Sequence, residues 1–157
     1  MIRPTVPADT AALVELARET GVFKPHEIVA LKEVLDDYHG EYQGEGHFCV
    51  TYEDNGETLG FAYYAPASMT VCSWYLYWIA VKKNTQAKGL GGQLLSYVED
   101  DIRLRQKGAV LFIETSSLPH YELTRRFYLK KGYAQDAVLH DYYAPGDDMV
   151  VFRKAVG

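Results

Sequence analysis

The stretch from Tyr75 to Gln106, YLYWIAVKKNTQAKGLGGQLLSYVEDDIRLRQ, decides the fold. Its first seven residues, Tyr75–Val81, form an apolar run rich in aromatic and branched side chains, the composition of a buried strand. A short polar turn follows, and Gly89, Gly91 and Gly92 then open a segment in which Leu90, Leu94, Leu95, Val98 and Ile102 recur at helical spacing. The unit is strand, glycine-rich turn, helix. The first N–H groups of a helix lack partners within it and carry its positive dipole end, so a phosphate can bind there. Glycines remove the Cβ atoms that would hold a bulky anion off the backbone, which makes Gln86–Gly92 a candidate phosphate cradle. For an isolated Gly-x-Gly, a tight strand-to-helix connection is the more usual reading.

Two phosphate motifs are set aside. No Gly-x-x-x-x-Gly-Lys-Ser/Thr run stands near Gly89, and Leu94 occupies the place of the third glycine of a dinucleotide fingerprint.

Gln86-Ala87-Lys88-Gly89-Leu90-Gly91 resembles the coenzyme A motif of the GNAT superfamily of N-acetyltransferases, Gln/Arg-x-x-Gly-x-Gly/Ala, and it sits between a strand and an amphipathic helix as that family requires. Phe127-Tyr128-Leu129-Lys130-Lys131-Gly132-Tyr133 is similar to the family's Phe-Tyr-x-x-x-Gly-Phe segment. With strand order included, the resemblance covers nearly the whole chain. It implies an α+β fold with a mixed, splayed sheet of about seven strands flanked by four helices.

The rest of the chain fits that reading. At 157 residues, with 48% hydrophobic and 24% charged residues, one domain spanning 1–157 with a real core is expected. A net charge of −5 argues against nucleic acid as the main partner. No apolar run approaches the length of a membrane span and the N-terminus lacks an apolar signal region, so a cytoplasmic protein is expected. Cys49 and Cys72 read as reduced thiols, and the scattered histidines, without a His-x-x-x-His pair, indicate no metal site. Ile2-Arg3-Pro4 starts an edge strand, Asp9 is a candidate N-cap for a first helix, and Pro25 and Gly40 bracket a second. Asn55-Gly56 predicts a hairpin between His47–Tyr52 and Thr58–Tyr64. Ala109–Thr115 reads as a buried strand, Tyr121–Lys131 as a helix closed by Gly132, and Tyr133–Tyr143 and Asp148–Lys154 as final strands. The order is βααβββαβαββ.

The resemblance carries function with it. It implies direct transfer of an acetyl group from acetyl-CoA to a primary amine of a small molecule or peptide. The pantetheine arm then pairs with backbone groups at Ile79, Ala80 and Val81, and the pyrophosphate lies on the backbone of Gln86, Ala87, Lys88, Gly89, Leu90, Gly91 and Gly92. Lys82, Lys83 and Lys88 are candidates to neutralise the nucleotide phosphates. Tyr128 matches the family tyrosine that protonates the departing sulfur. The family's central-strand glutamate falls on Tyr75 here, which leaves Glu114 as candidate base, though a carboxylate satisfied by neighbouring groups fits that position as well. Tyr121 stands where the family often has Asn. In the acceptor region Asp36, Asp37, Asp147 and Asp148, near several tyrosines, suggest a cationic amine, while a solvated acidic surface is the plain alternative. A non-catalytic acyl-CoA-binding domain is the second reading, and the oligomeric state, a homodimer included, stays open.

Overall fold

The computed structural model describes residues 1–157, the side chains of Gln86 and Ala87 excepted. In chain order the elements are β1 (Ile2–Pro4), α1 (Thr10–Glu19), α2 (Pro25–Gly40), β2 (Phe48–Asp54), β3 (Glu57–Pro66), β4 (Ser73–Val81), α3 (Leu90–Arg105), β5 (Val110–Ser116), α4 (Glu122–Lys130), β6 (Ala134–Ala144) and β7 (Asp147–Ala155), with short 3-10 turns between some of them. The expected order is the observed one. A single seven-stranded sheet runs β1-β2-β3-β4-β5-β7-β6, and every neighbouring pair is antiparallel except β4 and β5.

That one parallel contact is short. It pairs Ser73 with Val110, Trp74 with Leu111 and Tyr75 with Phe112, while β4 continues to Val81 and β5 to Ser116. The sheet therefore splays beyond Tyr75. A β-bulge accompanies the parting: on β3, Tyr64 faces Leu76 and Tyr63 faces Trp78, so Tyr77 is the extra residue. A bulge bends its strand and shifts the alternation of side chains by one. Trp74 and Leu76 before it, and Ile79 and Val81 after it, pack on the side of α3. Trp78 and Ala80 pack on the opposite side, with α1 and α2.

The two faces hold separate cores. On one, Leu94, Leu95, Val98 and Ile102 of α3 and Tyr128 of α4 cover Leu111, Ile113 and Phe152. On the other, Leu13, Leu16 and Ala17 of α1 and Ile28, Leu31 and Leu35 of α2 cover Phe61 and Tyr63. Asp9 does not cap α1 as expected. Its carboxylate accepts from Arg3 at 2.8 and 2.9 Å and from the Val6 N–H at 2.8 Å, which ties the N-terminal strand to the turn before the helix.

Glu99 interrupts the apolar face of α3. It is buried, accepts from the Tyr133 hydroxyl at 2.7 Å, and faces Lys154 Nζ at 3.0 Å; the same ammonium donates to the Lys131 carbonyl at 3.0 Å. The triad locks α3 to the end of α4 and to β7. Glu99→Ala strands two donors at once, and with Lys154 partly in water the expected loss is about 2–4 kcal/mol. Urea unfolding checks it, and a Glu99→Leu/Lys154→Met pair should recover part of the loss.

Candidate active site

A cleft of 840 Å³ opens where β4 and β5 part, bounded by α4 on one side and the α1–α2 connection on the other. Gly89, Gly91 and Gly92 line one end of it. Gly89 has φ +75°, the left-handed conformation that turns the chain from a 3-10 segment into α3, and it suits glycine for want of a Cβ. A Cβ built there meets nothing within 4 Å, and one on Gly91 meets only the Phe127 ring at 3.6 Å, so the space over the first turn of α3 is open to a ligand. Leu90 points into the core and leaves only its backbone to the turn, while Lys88 is exposed. The backbone of Gln86 and Ala87, expected to contact the pyrophosphate, lies in the 3-10 segment Lys83–Lys88, and the side chains of these two residues lie outside the described residues.

The backbone of β4 sorts itself by alternation. The Lys82 N–H donates to the Leu59 carbonyl on β3 at 2.8 Å, so Ala80 and Trp78, in phase with it, also face β3. Ile79 and Val81 then turn their N–H and C=O groups into the gap that β5 has left. Ala80, expected as a backbone contact, instead spends its backbone groups on β3, and only its side chain reaches the cleft. Of the expected lysines, Lys82 pairs with Glu57 and Lys83 points to solvent. Lys131, which the sequence does not single out, is closer to the turn: its Nζ lies 3.0 Å from where a Gly92 Cβ would stand, and it lines the cleft.

Tyr128 and Glu114 both line the cleft and approach it from opposite faces of the sheet. Tyr128 belongs to the core on the α3 side, in contact with Tyr133 at 5.9 Å and Phe152 at 5.6 Å between centroids, and lines the cleft. Among the described residues its hydroxyl has no hydrogen-bond partner, and burial raises its pKa, which keeps the proton on oxygen at neutral pH. Leu111 and Ile113 face α3, so Glu114, one residue on, faces the other way, beside Tyr75 and Tyr77. Its carboxylate has no partner among the described residues. The residue is exposed to solvent at the cleft, and partial desolvation of its carboxylate raises its pKa above the ordinary carboxylate value, the direction that suits a base.

The far end corrects the expected acidic cluster. Asp36 and Asp37 are exposed on the outer side of α2, away from the cleft, and Asp36 is held by Lys32 at 2.6 Å. Helical geometry puts them there, because Leu31, Leu35 and Tyr38 take the inner face. Asp148 is also outside the cleft and serves its own loop: it accepts from the Asp141 N–H at 2.8 Å, which with His140 lowers its pKa. Asp147 alone lines the cleft, buried, taking the Ser116 hydroxyl and facing Lys24 Nζ at 3.4 Å. Phe23, Lys24 and Glu27 from the start of α2 and the preceding connection complete the wall with Trp78, Tyr121 and Tyr143. The sequence offered one signal for them, the apolar pair Val22-Phe23 in a connection between helices. Tyr121, in place of the family Asn, donates to the Val22 carbonyl at 3.3 Å and so pins that connection to α4; burial pushes its pKa up to about 12.

The acetyltransferase (GNAT) domain model matches residues 44–135, more than half of the chain. A solved structure from Desulfovibrio desulfuricans, assigned to the GNAT family of acetyltransferases, is 34% identical over 100% of this chain and 99% of its own, with a TM-score of 0.94. An aminoglycoside 6′-N-acetyltransferase complexed with coenzyme A superposes with a TM-score of 0.80 at 19% identity, covering 100% of this chain and 97% of its own. The ribosomal-protein-S18-alanine N-acetyltransferase of Escherichia coli does so at 0.79 and 18%, covering 100% and 94%. These two share the fold and differ in the acceptor they are named for, so the fold does not select an acceptor. No curated protein matches the sequence. With the domain model over the glycine turn and most of the sheet, and a full-length relative of the same architecture, the chain belongs to the GNAT family of acetyl-CoA-dependent N-acetyltransferases.

Proposed function

We propose that this protein moves the acetyl group of acetyl-CoA directly onto a primary amine that enters as a cation, with Glu114 as base and Tyr128 as acid. The observation that carries the reading is their placement: base and acid reach the same gap from opposite faces of the sheet, and the free backbone edge at Ile79 and Val81 runs between them. The edge offers the pantetheine amides the pairing an added strand would make, and the open turn at Gly89 and Gly91 admits the pyrophosphate. Bound acetyl-CoA supplies the activated acyl carbon. Glu114 takes one proton from the ammonium, which frees the nitrogen lone pair. The Ile79 N–H polarises the thioester carbonyl as the N–C bond forms. As the C–S bond breaks, Tyr128 gives its proton to sulfur and regains one from the acylated nitrogen, so one proton in all goes to solvent.

A base with a raised pKa has a visible titration. Glu114 works deprotonated, so kcat should rise with pH through a value above the ordinary carboxylate range. Glu114→Gln should remove that limb and lower kcat about 10²–10⁴-fold, the residual rate following the amine's own deprotonation. Linkage gives the second readout. A carboxylate whose folded pKa is raised costs stability as pH rises through that pKa, so at pH 7 the Gln variant should melt no lower than the parent. An unchanged pH profile, or a lowered melting temperature with proportionate loss of activity, would make Glu114 a structural residue.

A further inference from the structure

Resting on the acetyl-transfer reading above, we infer that the acceptor is a monoamine carried on a flat aromatic body, an arylalkylamine, and not the polycation that the count of acidic residues suggests. Two independent features of the acceptor end point to it, one of shape and one of charge.

The shape follows from the bulge. Because Tyr77 is an extra residue, Tyr75, Tyr77 and Trp78 all lie on the α1–α2 side of β4, where regular alternation would have sent one of the last two to the opposite core. Tyr75 and Tyr77 lie 5.5 Å apart between centroids, and Phe23 lies 5.5 Å from Trp78 at an interplanar angle of 53°. Tyr143 also lines the cleft. This surface is not spent on the protein's own core: Tyr77 is 51% and Tyr143 43% exposed, although both line the cleft. A ring from the acceptor covers them and stacks among faces spaced for offset or edge contacts.

The charge follows from pairing. Lys24 and Ser116 engage Asp147. Glu27 accepts from the Lys24 N–H at 2.8 Å and sits in the first turn of α2, where the helix dipole favours a carboxylate. Glu114 is left as the acid of this end without a partner among the described residues, beside Tyr75 and Tyr77. Its carboxylate is placed to take one ammonium beside the rings. Further cations of a polyamine or aminoglycoside would have to lie against the apolar rings, where an unpaired charge is costly to desolvate. The Tyr121–Val22 hydrogen bond holds the Phe23 connection in place, so the wall is built before the acceptor arrives.

The test is initial rates of CoA release from acetyl-CoA with 2-phenylethylamine and tyramine, against n-hexylamine, spermidine, an aminoglycoside, phenylalanine and an alanine-terminated peptide. The two arylalkylamines should have kcat/KM at least tenfold above every other amine. Phe23→Ala, and separately Tyr77→Leu, should each raise KM for tyramine several-fold or more, and by a larger factor than for hexylamine, while leaving KM for acetyl-CoA nearly unchanged. Spermidine, the aminoglycoside, the amino acid or the peptide as best acceptor would overturn the inference and leave acetyl transfer standing. Equal losses with tyramine and hexylamine in both variants would also overturn it. Acetyl-CoA binding without CoA release by any amine would overturn both the inference and the reading beneath it.

Discussion

Tyr128→Phe is expected to lower kcat with a cognate amine by about 10²–10⁴-fold, the usual worth of a positioned general acid. The variant isolates the hydroxyl. Tyr128 packs its ring among Phe127, Tyr133 and Phe152, and Phe keeps that ring. Among the described residues the hydroxyl has no hydrogen-bond partner, so its removal strands no donor or acceptor, and the melting temperature should hold or rise slightly. Burial pushes its pKa well above that of a free tyrosine, so the hydroxyl is protonated at rest and has a proton to give. KM for acetyl-CoA should move little, because the proton is delivered in the transition state and not on binding. Full activity in Tyr128→Phe, or a loss confined to KM, would reduce the residue to a packing element.

The second large effect belongs to Gly91 and has opposite signs for stability and binding. Gly91 sits in the first turn of α3 with ordinary helical φ, and an added Cβ meets the Phe127 ring at 3.6 and 3.8 Å, ordinary contact distances. Gly91→Ala should therefore fit, and by helix propensity gain about 0.5–1 kcal/mol. The same methyl group stands over the helix N-terminus, where the proposed cradle would bring a pyrophosphate to the N–H groups. Charge-assisted hydrogen bonds of that kind are worth about 1.5–3 kcal/mol each, so Gly91→Val, with more bulk, should weaken acetyl-CoA roughly 10–100-fold for each bond lost. Calorimetric titration with acetyl-CoA beside thermal unfolding reads both signs. Unchanged affinity in Gly91→Val would move the phosphates elsewhere. Gly89 is the poorer test, since its left-handed φ of +75° would strain any side chain and mix folding with binding.

How much of this was legible in the chain depends on the range of the interaction concerned. The strand, glycine turn and helix from Tyr75 to Gln106 were readable because each is fixed by neighbours a few residues away: branched and aromatic residues for β4, the i, i+4 spacing of Leu90, Leu94 and Val98 for α3. The Asn55-Gly56 hairpin was readable for the same reason, and both residues adopt the positive φ, 51° and 77°, that such a turn demands. Glu114 and Tyr128 could be named from strand order and motif, but not their approach from opposite faces.

The acceptor end was misread in the sequence because its character is set by pairings between distant segments. Asp147 looks like a free carboxylate until Lys24, 123 residues earlier, is brought to 3.4 Å of it. Asp36 and Asp37 look like cleft residues until the inner face of α2 is claimed by Leu31, Leu35 and Tyr38. The bulge at Tyr77 is the clearest case, for YLYW reads as plain alternation, and only the register of β3 against β4 makes Tyr77 the surplus residue. By itself the sequence determined the elements and the glycine turn, since backbone preference and short-period burial are local. The tertiary structure decided which charges stay free and which rings face the cleft, because desolvation, ion pairing and strand register depend on residues that only folding brings together.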